Sequence, residues 1–272
     1  MKAVCPICPH RCSLSEGEVG FCRARQNKSG VIKSINYGLI TSLALDPIEK
    51  KPLNCFYPGS RILSIGSFGC NLRCPFCQNY EISMADAQSS STSYYSPEKL
   101  VETAIHTRPE GNIGIAFTYN EPLIGYEYVT DTSRLARASG LETVLVTNGY
   151  INEKPLMELL PSISALNIDL KSFSREFYKR ISGDLETVKR TIEIASRQAH
   201  VEVTTLIIPG ENDSKDEMLA LSAWLASIDP DIPYHITRFY PRYKMTDRRP
   251  PTENIIERLV DIASESLRRV FA

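Results

Sequence analysis

Eight cysteines give the chain its most chemically capable residues, and they are unevenly spread: Cys5, Cys8, Cys12 and Cys22, then Cys55, then Cys70, Cys74 and Cys77, with none in the last 195 residues. Thiolates are the usual ligands of iron–sulfur cubes, which commonly have four. The run Gly69-Cys70-Asn71-Leu72-Arg73-Cys74-Pro75-Phe76-Cys77 offers three. One iron of a cube held there keeps no protein ligand, and a substrate or cofactor can bind at that iron. A zinc ion at the same residues would want a fourth ligand close by, and three buried cysteines without metal are the plain alternative. The spacing is read as an open [4Fe–4S] cluster.

Cys5-x2-Cys8-x3-Cys12-x9-Cys22 places four thiols within eighteen residues, punctuated by Pro6, Pro9 and Gly20. A structural zinc needs four nitrogen or sulfur ligands in a tetrahedron, and its binding would supply folding energy to a segment too polar to build its own core. The quartet is therefore expected to hold Zn2+, with His10 able to replace one thiol. A second, fully ligated [4Fe–4S] cluster serving electron transfer is the rival, and free thiols or a disulfide are the remaining readings. Cys55, in Pro52-Leu53-Asn54-Cys55-Phe56-Tyr57-Pro58, is expected near the mouth of the site, as an inert small hydrophobe or as a ligand or redox residue.

The Cys-x3-Cys-x2-Cys triplet resembles the signature of the radical S-adenosylmethionine (SAM) superfamily. The resemblance implies a partial β6/α6 barrel whose cluster is chelated by the SAM amino and carboxylate groups. One-electron reduction then yields methionine and a 5′-deoxyadenosyl radical that abstracts hydrogen. Phe76 holds the aromatic position before the third cysteine, where in that family the backbone meets adenine. Thr118-Tyr119-Asn120-Glu121-Pro122 stands where the family has Gly-Gly-Glu-Pro, so Glu121 is expected to accept from the SAM ammonium. Both glycines are missing, and the Asn120 side chain is expected to substitute for the backbone approach they permit. Asn167-Ile168-Asp169-Leu170-Lys171 is similar to the Asp-x-Lys element of glycyl-radical-enzyme activating enzymes, such as that for pyruvate formate-lyase. The match implies Asp169 near the ribose and Lys171 near the SAM carboxylate. Thr147-Asn148-Gly149, Ile208-Pro209-Gly210-x-x-Asp213 and Pro233-Tyr234-His235 match the same pattern, which brings Asn148 and His235 to the cofactor. The plain reading of His235 is a satisfied core histidine. Val146 replaces the aspartate that those enzymes carry before Thr-Asn-Gly, which removes a ligand from their monovalent-cation site.

Taken jointly, the N-terminal quartet, Asp46-Pro47-Ile48-Glu49-Lys50-Lys51-Pro52, Tyr57-Pro58-Gly59-Ser60, Thr118–Pro122 and Arg238-Phe239-Tyr240-Pro241 resemble the AmmeMemoRadiSam-system radical SAM proteins. That resemblance implies Memo-like and AMMECR-like proteins as company, and a flavodoxin or ferredoxin as electron donor. It leaves the substrate, protein or small molecule, unidentified. The reading from a different class is a non-catalytic iron–sulfur electron carrier; a carrier has no SAM for Glu121, Asp169 and Lys171 to hold.

These residues need a frame to position them. Short apolar runs at Ile62–Ile65, Ile113–Phe117, Thr143–Val146, Leu166–Leu170, Val201–Ile208 and Tyr234–Phe239 predict buried parallel strands. Helices are predicted between them: from Ser96-Pro97-Glu98, over Glu127–Ala138, Lys154–Leu160, Glu186–Arg197 and Lys215–Ser227, and finally over Asn254–Val270. Strict β-α alternation gives right-handed crossovers, which an open partial barrel and a doubly wound sheet satisfy equally. The expected organisation is a Cys-rich extension over residues 1–60, with its metal knot and a small β-ribbon, followed by a partial (β/α)6 barrel over 61–272.

Composition narrows the function classes. A formal net charge of −1 provides no global field toward nucleic acid or an anionic membrane. No apolar run approaches the roughly 20 residues that span a bilayer. The N-terminus has no apolar signal region, so the chain is expected in the cytoplasm, where cysteines rarely pair as disulfides and metal binding accounts for them better.

Overall fold

Apolar side chains on both faces suit the predicted strands to a sheet that is helix-covered outside and filled inside. A computed structural model describes all residues 1–272. Its main sheet holds β1 (Ser42–Pro47), β2 (Arg61–Gly66), β3 (Asn112–Phe117), β4 (Glu142–Thr147), β5 (Ala165–Asp169), β6 (His200–Ile207), β7 (Tyr234–Arg238) and β8 (Val270–Phe271). Their spatial order follows the chain from β1 to β8 without a reversal. β1 pairs antiparallel with β2, and every other neighbouring pair is parallel.

That order decides between the two expected architectures. Right-handed crossovers in an unreversed order put every helix on one face. A doubly wound sheet needs a reversal, the switch point at which helices change sides. The sheet is therefore a partial barrel, open between β1 and β8. Its longer helices are α1 (Pro97–His106), α2 (Tyr126–Ala138), α3 (Glu153–Leu159), α4 (Leu185–Ala195), α5 (Lys215–Ile228) and α6 (Glu253–Ser264). Side-chain caps start three of them: Ser96 accepts from Lys99 N, Asp184 from Thr187 N and Ser214 from Glu217 N. Leu100, Val101 and Ala104 on α1 and Val188 and Ile192 on α4 are among the residues pressed into the core. No helix is long and apolar enough to cross a membrane.

Two predicted boundaries move. The C-terminal helix ends at Ser264 instead of reaching Val270, and Val270–Phe271 pair with Tyr234 and His235 as the last strand. The open edge of β7 explains this: Tyr234 N–H would otherwise be buried without a partner, and it donates to Arg269 O at 2.9 Å. At the other edge, β1 lies inside the stretch read as extension, so the sheet begins at Ser42. Before it, Ala3–Val4 pairs with Ser13–Leu14, and Arg25–Lys28 with Val31–Ser34. Cys5 and Ile7 of this segment belong to the main apolar core, so the segment leans on the barrel for the burial it cannot generate alone.

Candidate active site

The loop after β2 carries Cys70, Cys74 and Cys77 over the carboxyl ends of the strands, where ligands of parallel sheets bind. Asn120, in the loop after β3, clamps it from one side: Oδ1 accepts from Ser67 N (2.9 Å) and Nδ2 donates to Gly69 O (3.1 Å). The Asn120 side chain thus fixes the loop that carries the three thiols. From the other side the Arg73 guanidinium donates to Cys70 O (2.8 Å) and Leu72 O (2.9 Å), folding the loop back on itself. Gly69 has φ +88°, and a Cβ there would lie 2.4 Å from Cys22 O, so glycine is required.

The three thiols line one cavity of about 320 Å³, together with Phe76, Glu121, Asn148, Asp169 and Lys171. Burial pushes the Cys74 thiol up to about 12 and the Cys70 thiol well above its ordinary range. Such thiols release their protons to a metal and not to water. Three thiols are the donor set of an iron–sulfur cube with one iron left open, and a lone zinc would want a fourth ligand beside them. Asn148 Nδ2 approaches Cys70 Sγ at 3.7 Å while donating to Asn71 Oδ1 at 2.9 Å.

Glu121 is 3% exposed and faces this cavity. Its carboxylate accepts from Thr147 Oγ1 (2.7 Å), Leu123 N (3.0 Å) and Asn148 N (2.8 Å). A carboxylate has about four acceptor positions, so one remains for a donor in the cavity. Burial raises its pKa to about 7 despite the three hydrogen bonds, since no cation neutralises it. Lys171 and Asp169 form an ion pair at 2.8 Å on the opposite side. Burial disfavours the Lys171 ammonium, but Asp169 outweighs it and raises the pKa. Tyr178 OH and Asn212 Nδ2 hold the Lys171 backbone N–H and C=O. Phe76, 3% exposed, rests 6.0 Å from the Phe177 ring.

Two expectations fail on position. His235 is the second residue of β7, at the amino end, and its Nε2 donates to Glu202 at 2.6 Å. It does not line the cavity, so the cofactor role gives way to the plain reading of a satisfied core histidine. Cys55 lies at the same end, away from the cavity mouth, where its N–H and that of Asn54 donate to Glu202 at 2.8 and 3.0 Å. Burial works against an ionised Glu202, but His200, His235 and the two amides outweigh it and hold the carboxyl down to about 2.

Sequence reasoning singled out Asp46–Pro52 without giving it a role. Lys51, 2% exposed, reaches the cavity floor, pairs with Asp46 at 2.8 Å and sits 4.6 Å over the Tyr119 ring. Tyr119 OH donates to Asp46 at 2.6 Å. Burial opposes ionisation of Asp46, but Lys51 and Tyr119 outweigh it and hold the carboxyl below its usual range. Tyr119 has φ +68°, the left-handed region natural to the glycine it replaces; a signal was therefore present in the motif mismatch.

The comparisons with known proteins meet this geometry. A profile described as the Radical SAM superfamily matches residues 64–222, more than half of the chain. The chain is 40% identical to an uncharacterised protein of Methanocaldococcus jannaschii, across 99% of this chain and 80% of that protein. It is 24% identical to the pyruvate formate-lyase 1-activating enzyme of Escherichia coli, across 76% of this chain and 90% of that enzyme. The crystal structure of Streptococcus suis SuiB bound to S-adenosylmethionine shares the fold, with a TM-score of 0.57 at 12% identity over 78% of this chain and 51% of that one. Profile, relatives and a thiol-ringed cavity at the strand ends agree: the chain belongs to the radical SAM superfamily, whose members work with a [4Fe–4S] cluster and SAM.

Proposed function

We propose that Cys70, Cys74 and Cys77 hold the cluster and that SAM lies between Glu121 and the Asp169–Lys171 pair, for hydrogen abstraction of the glycyl-radical-activating type. When bound, the two cofactors supply one-electron cleavage of SAM and the 5′-deoxyadenosyl radical. The residues of the chain bind, orient and exclude water. Glu121 offers its remaining acceptor position to the SAM amino group. Lys171 offers donors to the carboxylate, and Asp169 acceptors to the ribose hydroxyls. Phe76 walls the adenine side. The observation that carries this reading is Glu121: a buried carboxylate without a cation, facing the thiols across one cavity.

The subgroup motifs favour the AmmeMemoRadiSam assignment, with Memo-like or AMMECR-like protein partners and a flavodoxin or ferredoxin as donor. Lys50 and Lys51 both line the cavity and share the one carboxylate of Asp46, and the positive charge left over favours a second reading of the same chemistry, in which a small anionic molecule takes the place of a protein glycine. The test is anaerobic reconstitution followed by SAM and dithionite. 5′-Deoxyadenosine should form, and the cluster's EPR spectrum should change on adding SAM. Cys74→Ala should abolish both. Cluster-loaded protein that cleaves no SAM with any reductant would restore the electron-carrier reading. Running the assay with partner proteins and with small acids separates the two substrate readings.

A further inference from the structure

A structural zinc site gathers four sulfurs around one ion, and the turns that carry the sulfurs aim N–H groups at them. Cys5, Cys8, Cys12 and Cys22 line one enclosed space of about 10 Å³, closed by Phe21 and Ile124. That is about the room of one water-sized sphere. It suits a single ion; a core of four irons and four sulfides needs far more. The backbone does the gathering. Cys5 N–H donates to Cys12 O at 3.0 Å, which sets those two residues side by side. The turn Cys8–Arg11 closes with Arg11 N–H on Cys8 O at 3.1 Å, and the turn Gly20–Arg23, with Arg23 N–H on Gly20 O at 2.8 Å, brings Cys22 to them.

Donors converge on all four sulfurs. Phe21 N–H points to Cys12 Sγ at 3.5 Å. The His10 N–H faces the Cys8 sulfur and the Ala24 N–H the Cys22 sulfur. The Arg25 guanidinium faces Cys5. It is 3% exposed, its terminal nitrogens are taken by Glu127 and Ile124 O, and its Nε has no partner. A neutral thiol is a weak acceptor, so a buried donor aimed at one is left almost unsatisfied. Four thiolates around a divalent cation carry two negative charges, which the same donors stabilise. Leu72 N–H stands in the same relation to Cys70 Sγ, at 3.4 Å, so the quartet repeats a feature of the catalytic loop. Neither set of thiols stands at the ligand distances of a bound ion; a metal draws such a set closed as it binds.

The same turns form the wall behind the Cys70–Cys77 loop. His10 Nε2 donates to Asn71 O at 2.8 Å, the Arg73 guanidinium donates to Phe21 O, and Cys22 O abuts Gly69. From the ion-sized space and the donors that face its four sulfurs, we infer that Cys5, Cys8, Cys12 and Cys22 bind one Zn2+, and that this ion sets the turns against which the Cys70–Cys77 loop is placed. On binding, the four thiols release their protons to water and each thiolate forms one bond to the metal; no electron changes place. The assignment does not rest on the reaction proposed above.

Aerobically purified protein should hold about one zinc per chain, and so should the variant in which Cys70, Cys74 and Cys77 are all replaced by Ala. Replacing Cys5 and Cys8 by Ala should bring zinc below about a tenth of an ion per chain. Co2+ exchanged into the triple variant should show the intense visible bands of a tetrahedral four-thiolate site, which reads the ligand set even if the double variant does not fold. Trypsin reads the positioning role. Stripping zinc from the triple variant with a chelator should speed cleavage after Arg73 at least about tenfold, and restoring zinc should reverse it. Unaltered protein without zinc, zinc that leaves with the triplet or stays in the double variant, an octahedral cobalt spectrum, or about four irons in the anaerobically reconstituted triple variant would each overturn the site. Cleavage after Arg73 that ignores zinc would overturn the positioning role. None of these readouts needs SAM cleavage, so their failure is distinct from a failure of the proposed reaction.

Discussion

Glu121 shows how a buried acid can be made ready for a cationic or donor ligand. Three protein hydrogen bonds fix both oxygens, yet burial keeps the pKa near 7. A bound donor selects the carboxylate form, so binding must draw the pKa back down. The sign follows: SAM affinity rises with pH through about 7, and each SAM bound near that pH releases a fraction of a proton. We expect about tenfold weaker binding at pH 6 than at pH 8, measurable by calorimetry in buffers of different ionisation enthalpy. Glu121→Ala should weaken SAM binding about ten- to hundredfold, the loss of one charge-assisted contact of about 1.5–3 kcal/mol, with the cluster still assembled. Affinity that ignores both pH and the substitution would remove Glu121 from the binding group. Tyr119 is the complementary residue. A non-glycine residue at φ +68° costs on the order of 1 kcal/mol, and its hydroxyl bond to Asp46 and the Lys51 ammonium over its ring hold it there.

At the scale of elements, Glu202 on β6 ties the amino end of the barrel to the loop below it. One carboxylate accepts from His200, His235, Asn54 N and Cys55 N and is fully buried. Its folded pKa, near 2, lies below the ordinary carboxylate value. This stability is present above about pH 5 and lost as pH falls toward 2, about 3 kcal/mol in all. Glu202→Gln should destabilise the protein at neutral pH by roughly 2–3 kcal/mol and flatten the acid limb of its stability curve, while SAM affinity stays put. Denaturant titrations at several pH values would show it, and a loss of SAM binding in the folded variant would return His235 to the cofactor. The same end of the barrel marks the limit of what the sequence discloses. All six core strands and the order of the helices were legible, because apolar runs and N-caps are local signals. The triplet, Glu121, Asn148, Asp169 and Lys171 were legible because each belongs to a motif at a strand's carboxyl end. His235 was misplaced because a strand's apolar pattern does not say which end a polar residue occupies until its register is known. β8 was missed because two residues have no periodicity; only the bare edge of β7 calls it into being.

Across the whole molecule, the first 34 residues act as a clasp between the Cys70–Cys77 loop and the helix layer. Their apolar share is too small for an independent core, and polar contacts hold them to the barrel. Arg25 makes a bidentate pair with Glu127 at 2.8 and 2.6 Å and also donates to Ile124 O at 3.0 Å, which pins the segment to the start of α2. Asn152 N donates to Ile7 O at 2.9 Å, and His10 reaches Asn71. Glu127 is 39% exposed in its side chain, so the carboxylate can turn to water if its partner is removed. Arg25 is 3% exposed and has no such escape. The arginine therefore answers to the segment and the glutamate to the barrel, and their loss should not be symmetric. Arg25→Met keeps much of the buried stem volume but removes the fork, and should cost about 2–3 kcal/mol of docking, the range for charge-assisted bonds. Glu127→Gln leaves the guanidinium buried beside a neutral acceptor and should cost more, up to about 3–5 kcal/mol, because the charge stays without a counterion. Limited proteolysis reads the difference: both variants should be cut within the first 34 residues, Glu127→Gln faster, while the body from Ser42 onward resists. Equal resistance to cleavage in the variants and the unaltered protein would mean that the quartet and the apolar contacts of Cys5 and Ile7 hold the clasp without Arg25.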